Sequence, residues 1–373
     1  MKAICTYLLY NRCLVGLASM FLLCASHATA KDMADDFNAG KLDPTRWSTI
    51  QAEPHQIGYP KDARCGGSAI SLTVKDGDSG KSCDGPCQRA ELRTQNAYRS
   101  KYGDDQWYAF SFRVAGDVPP TNSDRFVVSQ WKAPNDISPF LAQRFDNGVF
   151  YITVQDGERR RTVVSADGDP EALQAAQEVL SKVDPQNQQM VSAINTLQQL
   201  QLFRTQQPAL DSLFSDTLKD ALGSQRPDAP SVKELATKLG IDDSDLVPAI
   251  GDLSFATDIH EYLGPANIDV TLESKDPLPD PRKGWVDMVY HVKNGRTDNT
   301  VVPPKKGFIE IWANGNKMAT VTGDLGAKIT EPNDLTGYFK FGIYRAPLPG
   351  KFEFRFDEYS QAAKKADLAK MCN

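Results

Sequence analysis

Short runs of alternating apolar and polar residues dominate two stretches of this chain, from about residue 32 to 165 and from about 284 to 360. Ala69–Val74, Trp107–Val114, Phe126–Trp131 and Val149–Val154 lie in the first. Val286–Val292, Gly307–Trp312, Met318–Val321, Tyr338–Tyr344 and Lys351–Tyr359 lie in the second. Successive side chains of a strand point to opposite faces, so this pattern predicts β-strands buried on one side. Between two of them, Ala313–Asn316 centres on Asn314-Gly315, which predicts a hairpin with a type I′ turn. Many short strands at this spacing predict a mainly β fold, a two-sheet β-jelly-roll sandwich.

Residues 169–262 follow a different period. Asp169-Pro170 and Asp184-Pro185 each place a capping residue before a proline suited to the first helical position. Met190, Ile194, Leu197 and Leu200 recur at helical spacing, as do Leu210, Leu213, Phe214 and Leu218. Ser231–Glu234 forms a capping box, and Gly240 is a helix stop. Strands resume afterwards with the same character. The organisation expected is therefore a β-domain of residues 31–168 and 263–373 with a helical insertion of three to five helices at 169–262.

The N-terminus stands outside the fold. Lys2 and Arg12 precede an apolar run, Cys13–Cys24, and Ala28–Ala30 supplies a small-residue cleavage site. The run is too short to span a bilayer, so residues 1–30 read as a secretory signal and the product as exported, periplasmic or secreted. Loss of Lys2 and Arg12 with no acid takes the net charge from −6 to −8. An acidic exported chain is a poor partner for nucleic acid or an anionic membrane, and a local basic cleft on it would stand out. Cys65, Cys83, Cys87 and Cys372 remain after cleavage, an even number that favours disulfides over a metal site in this compartment. Pairing of Cys65 with Cys83 or Cys87 would tie down the glycine-rich loop between them, but spacing leaves connectivity open.

Three strands carry the candidate chemistry. In Gly337–Arg345 one face is Phe339, Phe341 and Ile343, and the other presents Tyr338, Lys340, Gly342 and Tyr344. In Arg89–Arg93, Arg89, Glu91 and Arg93 share a face, two guanidiniums braced by a carboxylate and suited to binding carboxylates or sulfates. In Val128–Lys132, Gln130 and Lys132 share a face opposite Ser129 and Trp131. Each alone is an ordinary polar strand face. Side by side in one sheet they would form a basic, phenol-bearing groove fit for an anionic polysaccharide. Such a groove also has the parts for β-elimination on a uronic acid: cations to neutralise the C5 carboxylate, a base for the C5 proton, and an acid for the leaving O4.

These three motifs resemble those of the jelly-roll polysaccharide lyases, the alginate lyase and heparin lyase I-like group. That group carries Arg-x-Glu-Leu-Arg, Gln-x-His and Tyr-x-Lys-x-Gly-x-Tyr strands in this order. Asp35–Asn38, Trp285–Lys293 and Phe308–Gly315 extend the resemblance over most of the β portion and none of the insertion. It implies that Tyr344 is the catalytic acid, and able to be the base as well, while Gln130 and Arg89 neutralise the uronate carboxylate. It further implies that Arg93, Lys340, Tyr338 and Arg345 bind substrate and that Glu91 orients the arginines. No cofactor is implied. A structural Ca²⁺ would be compatible with the Asp- and Asn-rich loops, without a readable ligand set.

The departure is Lys132, where many members have histidine. An unperturbed lysine is protonated at neutral pH, so either Lys132 is a catalytic base with a pKa depressed among the neighbouring cations, or the activity is altered or lost, or Tyr344 moves both protons, which is the expectation. His27 leaves with the signal. His291 reads as a structural strand residue, while His55 and His260 lie outside the motif strands. A glycoside hydrolase would need paired carboxylates flanking the bond, and Asp357 and Glu358 read as structural. The remaining alternative is a noncatalytic carbohydrate-binding protein on the same scaffold.

Overall fold

A computed structural model describes residues 31–80, 83, 86–116, 126–134, 138–188, 191–192, 194–195, 198, 243–253, 255–256, 258–298, 301, 303–326, 328 and 336–371. The signal segment, Cys372, Met190, Leu197, Leu200, Leu210–Leu218, the Ser231–Glu234 box and Gly240 lie outside the described residues.

The chain forms β1 (Met33–Asp35), β2 (Trp47–Gln51), β3 (Ile57–Gly58), β4 (Ile70–Val74), β5 (Gln88–Thr94) and β6 (Ser100–Lys101). Next come β7 (Gln106–Val114), β8 (Phe126–Lys132), β9 (Leu141–Asp146), β10 (Val149–Gln155) and β11 (Arg160–Ser165). After the insertion follow β12 (Ile268–Leu272), β13 (Val286–Lys293), β14 (Gly307–Ala313), β15 (Asn316–Gly323), β16 (Thr336–Arg345) and β17 (Phe352–Ala362). Asn314 and Gly315 have φ of 48° and 82°, as a type I′ turn between β14 and β15 requires.

Two antiparallel sheets result. One is ordered β12-β15-β14-β13-β7-β17-β4-β3, with β1 added on β17; the other is β11-β10-β9-β8-β16-β5-β2, with β6 added on β16. They form a mainly β, jelly-roll sandwich, as the alternation predicts. Aromatic residues fill the space between them: Phe341 meets Phe356 at 4.4 Å, and Trp131 meets Tyr290 at 4.6 Å and Phe339 at 4.8 Å. Gln143 reaches across to donate to the Tyr290 hydroxyl at 2.7 Å, so a polar pair is satisfied within the core.

The burial patterns of the two sheets differ. β13 and β14 alternate strictly between buried and part-exposed positions, which marks one open face. β9 and β11 are buried at every position, which marks cover on both faces. The cover is the insertion. α1 (Pro170–Ser181) begins at Asp169, whose carboxylate accepts from Glu171 N at 2.9 Å, with Pro170 in the first turn. Asp184-Pro185 instead opens a turn, in which Asp184 Oδ1 accepts from Gln186 N at 2.9 Å, and helix begins at residue 188. Together with α2 (Asp243–Asp252), α1 contributes to a second apolar cluster containing Leu173, Ala176, Leu180, Ile250, Leu253, Ile259 and Tyr262. That cluster closes over Tyr151 of β10.

Candidate active site

The register of the second sheet brings the three motif strands together. β16 lies between β5 and β8, with Tyr344 opposite Arg89, Lys340 opposite Arg93 and Gln130, and Tyr338 opposite Lys132. Residues directly opposite in a sheet share a face. The outward face therefore carries Arg89, Glu91, Arg93, Tyr338, Lys340, Tyr344, Gln130 and Lys132, while Phe339, Phe341 and Ile343 anchor the strand in the core.

Gly342 has a role that the sequence only hinted at. Its φ is +140°, and a Cβ there would lie 2.0 Å from the Ala90 carbonyl oxygen. What approaches the glycine is the neighbouring strand. On its other side the β16–β8 register shifts between Phe341 and Tyr344, a bulge that turns the end of the strand and re-aims Tyr344.

Glu91 holds the centre of the site. It has no solvent exposure, accepts from Gln130 Nε2 at 2.6 Å and from Lys340 Nζ at 2.9 Å, and lies 3.2 Å from Arg89 Nε. Lys340 also reaches Gln51 Oε1 at 3.3 Å. Burial draws the Lys340 pKa below its ordinary value, the Glu91 carboxylate opposes this, and Arg89 and Arg93 add to the lowering. At one end of the face the Arg89 guanidinium stacks 4.1 Å over the Tyr344 ring. At the other, Arg93 and Arg99 lie 5.3 and 5.5 Å over Tyr338. Burial raises the Tyr338 pKa, against the pull of Arg93 and Arg99.

Arg345 requires a correction. It follows Tyr344 on an alternating strand and so points inward, where Nε donates to Gln88 Oε1 at 2.6 Å and the guanidinium stacks 3.7 Å over Phe352. It braces the strand from below and does not face the groove. The cysteines differ too from the expected tie between Cys65 and Cys83 or Cys87. Cys83 pairs with Cys87, and Cys65 is bonded to a partner outside the described residues. The Cys83–Cys87 bridge lies on the groove side: a Cβ on Gly80 would touch both sulfurs and Arg89 Cβ.

None of the three described histidines stands on the motif strands. His291 stacks on Trp107 at 4.2 Å on the open face of the other sheet and pairs with Asp105 and Glu310. His55 bonds Asp78 at 3.0 Å, and His260 is exposed on the short helix Ile259–Tyr262. Asp357 accepts from the backbone N–H groups of Arg64 and Glu358 at 2.7 and 2.9 Å, a structural use. Among the described residues no group of three or more His, Cys, Asp or Glu side chains is placed to hold a metal ion. Arg99 and Gln51 are the groove residues the motifs did not reveal. One follows a short turn and the other ends an edge strand, so neither sits in an alternating run.

A family model described as "Polysaccharide lyase" matches residues 37–199 and 251–361. The chain belongs to the polysaccharide lyase family. This polysaccharide lyase shares the family pattern through α1 and the end of the insertion, further than the strand motifs indicated, and departs from it over 200–250. No curated protein matches the chain. Solved structures similar to this lyase include the alginate lyase from Klebsiella pneumoniae, at 10% identity and TM-score 0.39, covering 87% of this chain and 98% of that one. The alginate lyase from Corynebacterium sp. is similar at 10% identity and TM-score 0.39, covering 89% and 99%. The family 7 alginate lyase A1-II′ in complex with a substrate (GGMG) is similar at 10% identity and TM-score 0.40, covering 88% and 97%.

Proposed function

We propose that this polysaccharide lyase cleaves a uronate-containing anionic polysaccharide by β-elimination, with Tyr344 transferring the protons. The observation that carries this reading is the juxtaposition of Tyr344 and Arg89 on a groove face that also bears Gln130, Arg93, Lys340 and Lys132. Arg89, with Gln130 beyond it, neutralises the C5 carboxylate and so acidifies the C5 proton. Tyr344, entering as the phenolate, takes that proton and becomes the phenol, the C5–H electrons form the C4=C5 double bond, and the C4–O4 bond breaks with its electron pair on O4. The proton then passes to O4, which leaves as the hydroxyl of the departing sugar.

The position of Lys132 supports a single phenol acting on both atoms. Tyr344 lies opposite Val127, five residues from Lys132 along β8, which at about 3.4 Å per residue is on the order of 15 Å. Lys132, Arg93 and Arg99 instead surround Tyr338, where they suit an acidic group on a neighbouring sugar. Glu91 keeps Gln130, Lys340 and Arg89 in place, and the chemistry needs no cofactor. Export by the N-terminal signal would bring the enzyme to such a polymer.

The test is a screen of alginate, glucuronan, heparin and other uronate glycans, following the absorbance of the unsaturated product. Absorbance gained on a uronate polymer, and none on neutral glycans, is the expected result. Binding without absorbance on every uronate glycan would sink the reading.

A further inference from the structure

We propose that Arg99 and Arg93 form an oxyanion subsite at the Tyr338 end of the groove, with Arg99 setting how tightly a remote acidic group of the substrate is held. The proposal rests on the lyase reading above and adds a specificity determinant that lies outside the three motif strands.

A short turn places Arg99 here. Asn96–Tyr98 form a single 3-10 turn, closed by Arg99 N donating to Asn96 O at 3.3 Å. β6 then pairs Ser100 with Gly337 and Lys101 with Thr336, which sets Arg99 beside Tyr338 on one flank of β16. Lys132 stands opposite Tyr338 on the other flank. Arg93, opposite Lys340 two residues along β16, completes the cluster. The guanidinium carbons of Arg93 and Arg99 lie 5.3 and 5.5 Å from the centre of the same phenol ring.

These two guanidiniums lack a counter-charge. Arg89 and Lys340, the cations nearer the centre of the site, both have Glu91, at 3.2 and 2.9 Å. Among the described residues neither Arg93 nor Arg99 forms an ion pair, and the Nε of each is shielded from solvent without a hydrogen-bond partner. Burial holds the Arg99 pKa below its ordinary value and Arg93 adds to the lowering, while Tyr338 opposes it. Two like charges set close together in a half-buried site favour an occupant of opposite charge.

The geometry of the donors names the occupant. Each guanidinium offers a planar fork of N–H groups, which carboxylates and sulfates accept two at a time. Tyr338 is six residues from Tyr344 along β16, about 20 Å of strand. The acidic group that fits here therefore belongs to another sugar of the polymer than the one being cleaved. An arginine with a structural role would stabilise the empty protein. Arg99 instead burdens it, and an anion bound to the pair reverses the sign.

The full chain is titrated with millimolar sodium sulfate at an ionic strength held constant with sodium chloride, and Tm is read. Wild type is expected to gain Tm saturably in sulfate. Arg99→Gln should melt no lower than wild type in chloride and lose the sulfate response, and Arg99→Lys, which keeps the charge without the fork, should retain part of it. A wild type that does not respond, an Arg99→Gln that responds equally, or one that melts lower in chloride would overturn the proposal. On the uronate polymer that yields absorbance, Arg99→Gln should raise KM about tenfold, the loss of one charged hydrogen-bonding partner, and change kcat far less. The rise should shrink on the shortest oligosaccharides that are cleaved. An unchanged KM, or the same rise at every length, would also overturn it. The sulfate titration needs no turnover, so it stands if no glycan is cleaved, and a failed titration leaves the β-elimination reading intact.

Discussion

Replacing Glu91 with alanine removes the carboxylate that Arg89, Gln130 and Lys340 share. The side chain is fully buried, and so is Lys340, whose ammonium lies 2.9 Å from it. Breaking a buried pair by deleting one partner costs about 3–5 kcal/mol, because an uncompensated charge stays in the interior. The Gln130 amide loses its acceptor at 2.6 Å as well, an unsatisfied donor costing about 1–3 kcal/mol on its own. These contributions share one site and do not add, and Lys340, its pKa already lowered by burial, can shed its proton to limit the loss. The net expectation is a destabilisation of about 3–5 kcal/mol.

Urea denaturation followed by tryptophan fluorescence, with disulfides kept oxidised, measures it through the midpoint at constant slope. A companion double variant, Glu91→Leu with Lys340→Met, removes both charges and should recover most of the stability while remaining inactive. If Glu91→Ala costs less than about 1 kcal/mol, the value of an exposed pair, or if the double variant is no more stable than the single, the account of the site's centre is wrong.

Gly342→Ala forces a Cβ to within 2.0 Å of the Ala90 carbonyl at a φ of +140°. It should cost about 1–3 kcal/mol and lower kcat by displacing Tyr344, with thermal melts and initial rates as the readouts. Burial, reinforced by Asp357, Asp36 and Asp287, raises the Glu358 pKa to about 7, so its charged form burdens the folded state above that pH. A carboxyl whose folded pKa is raised disfavours folding as pH rises from its unfolded value through 7. Glu358→Gln should therefore raise Tm at pH 8 and change it little at pH 4, and an equal shift at both would contradict the sign. Lys132→His should act on KM and leave kcat nearly unchanged. A new rise in kcat governed by a histidine-like pKa would make Lys132 the position of the base.

Alternation alone located the motif strands and the faces they bury, because a period of two is a local property of the chain. It did not reveal that β16 lies between β5 and β8. That adjacency joins residues about 210 to 250 apart and depends on sheet order. Arg345 shows the reverse lesson: its inward position follows from alternation past Tyr344, and its charge drew it to the wrong face. The Cys83–Cys87 pairing and the fit of the insertion over Tyr151 were not legible, since neither connectivity nor docking leaves a periodic trace. The helical signals at 169–181 were legible because the Asp169 cap and Pro170 act within one turn, whereas Asp184-Pro185 carried the same residues into a turn.

The central claim is that Tyr344 moves the protons. Turnover of Tyr344→Phe and of Tyr338→Phe on the active uronate polymer, each paired with a binding isotherm, tests it most directly. The account predicts that Tyr344→Phe forms no unsaturated product while binding with nearly wild-type affinity, and that Tyr338→Phe retains turnover with weakened binding. Normal product formation by Tyr344→Phe would contradict it.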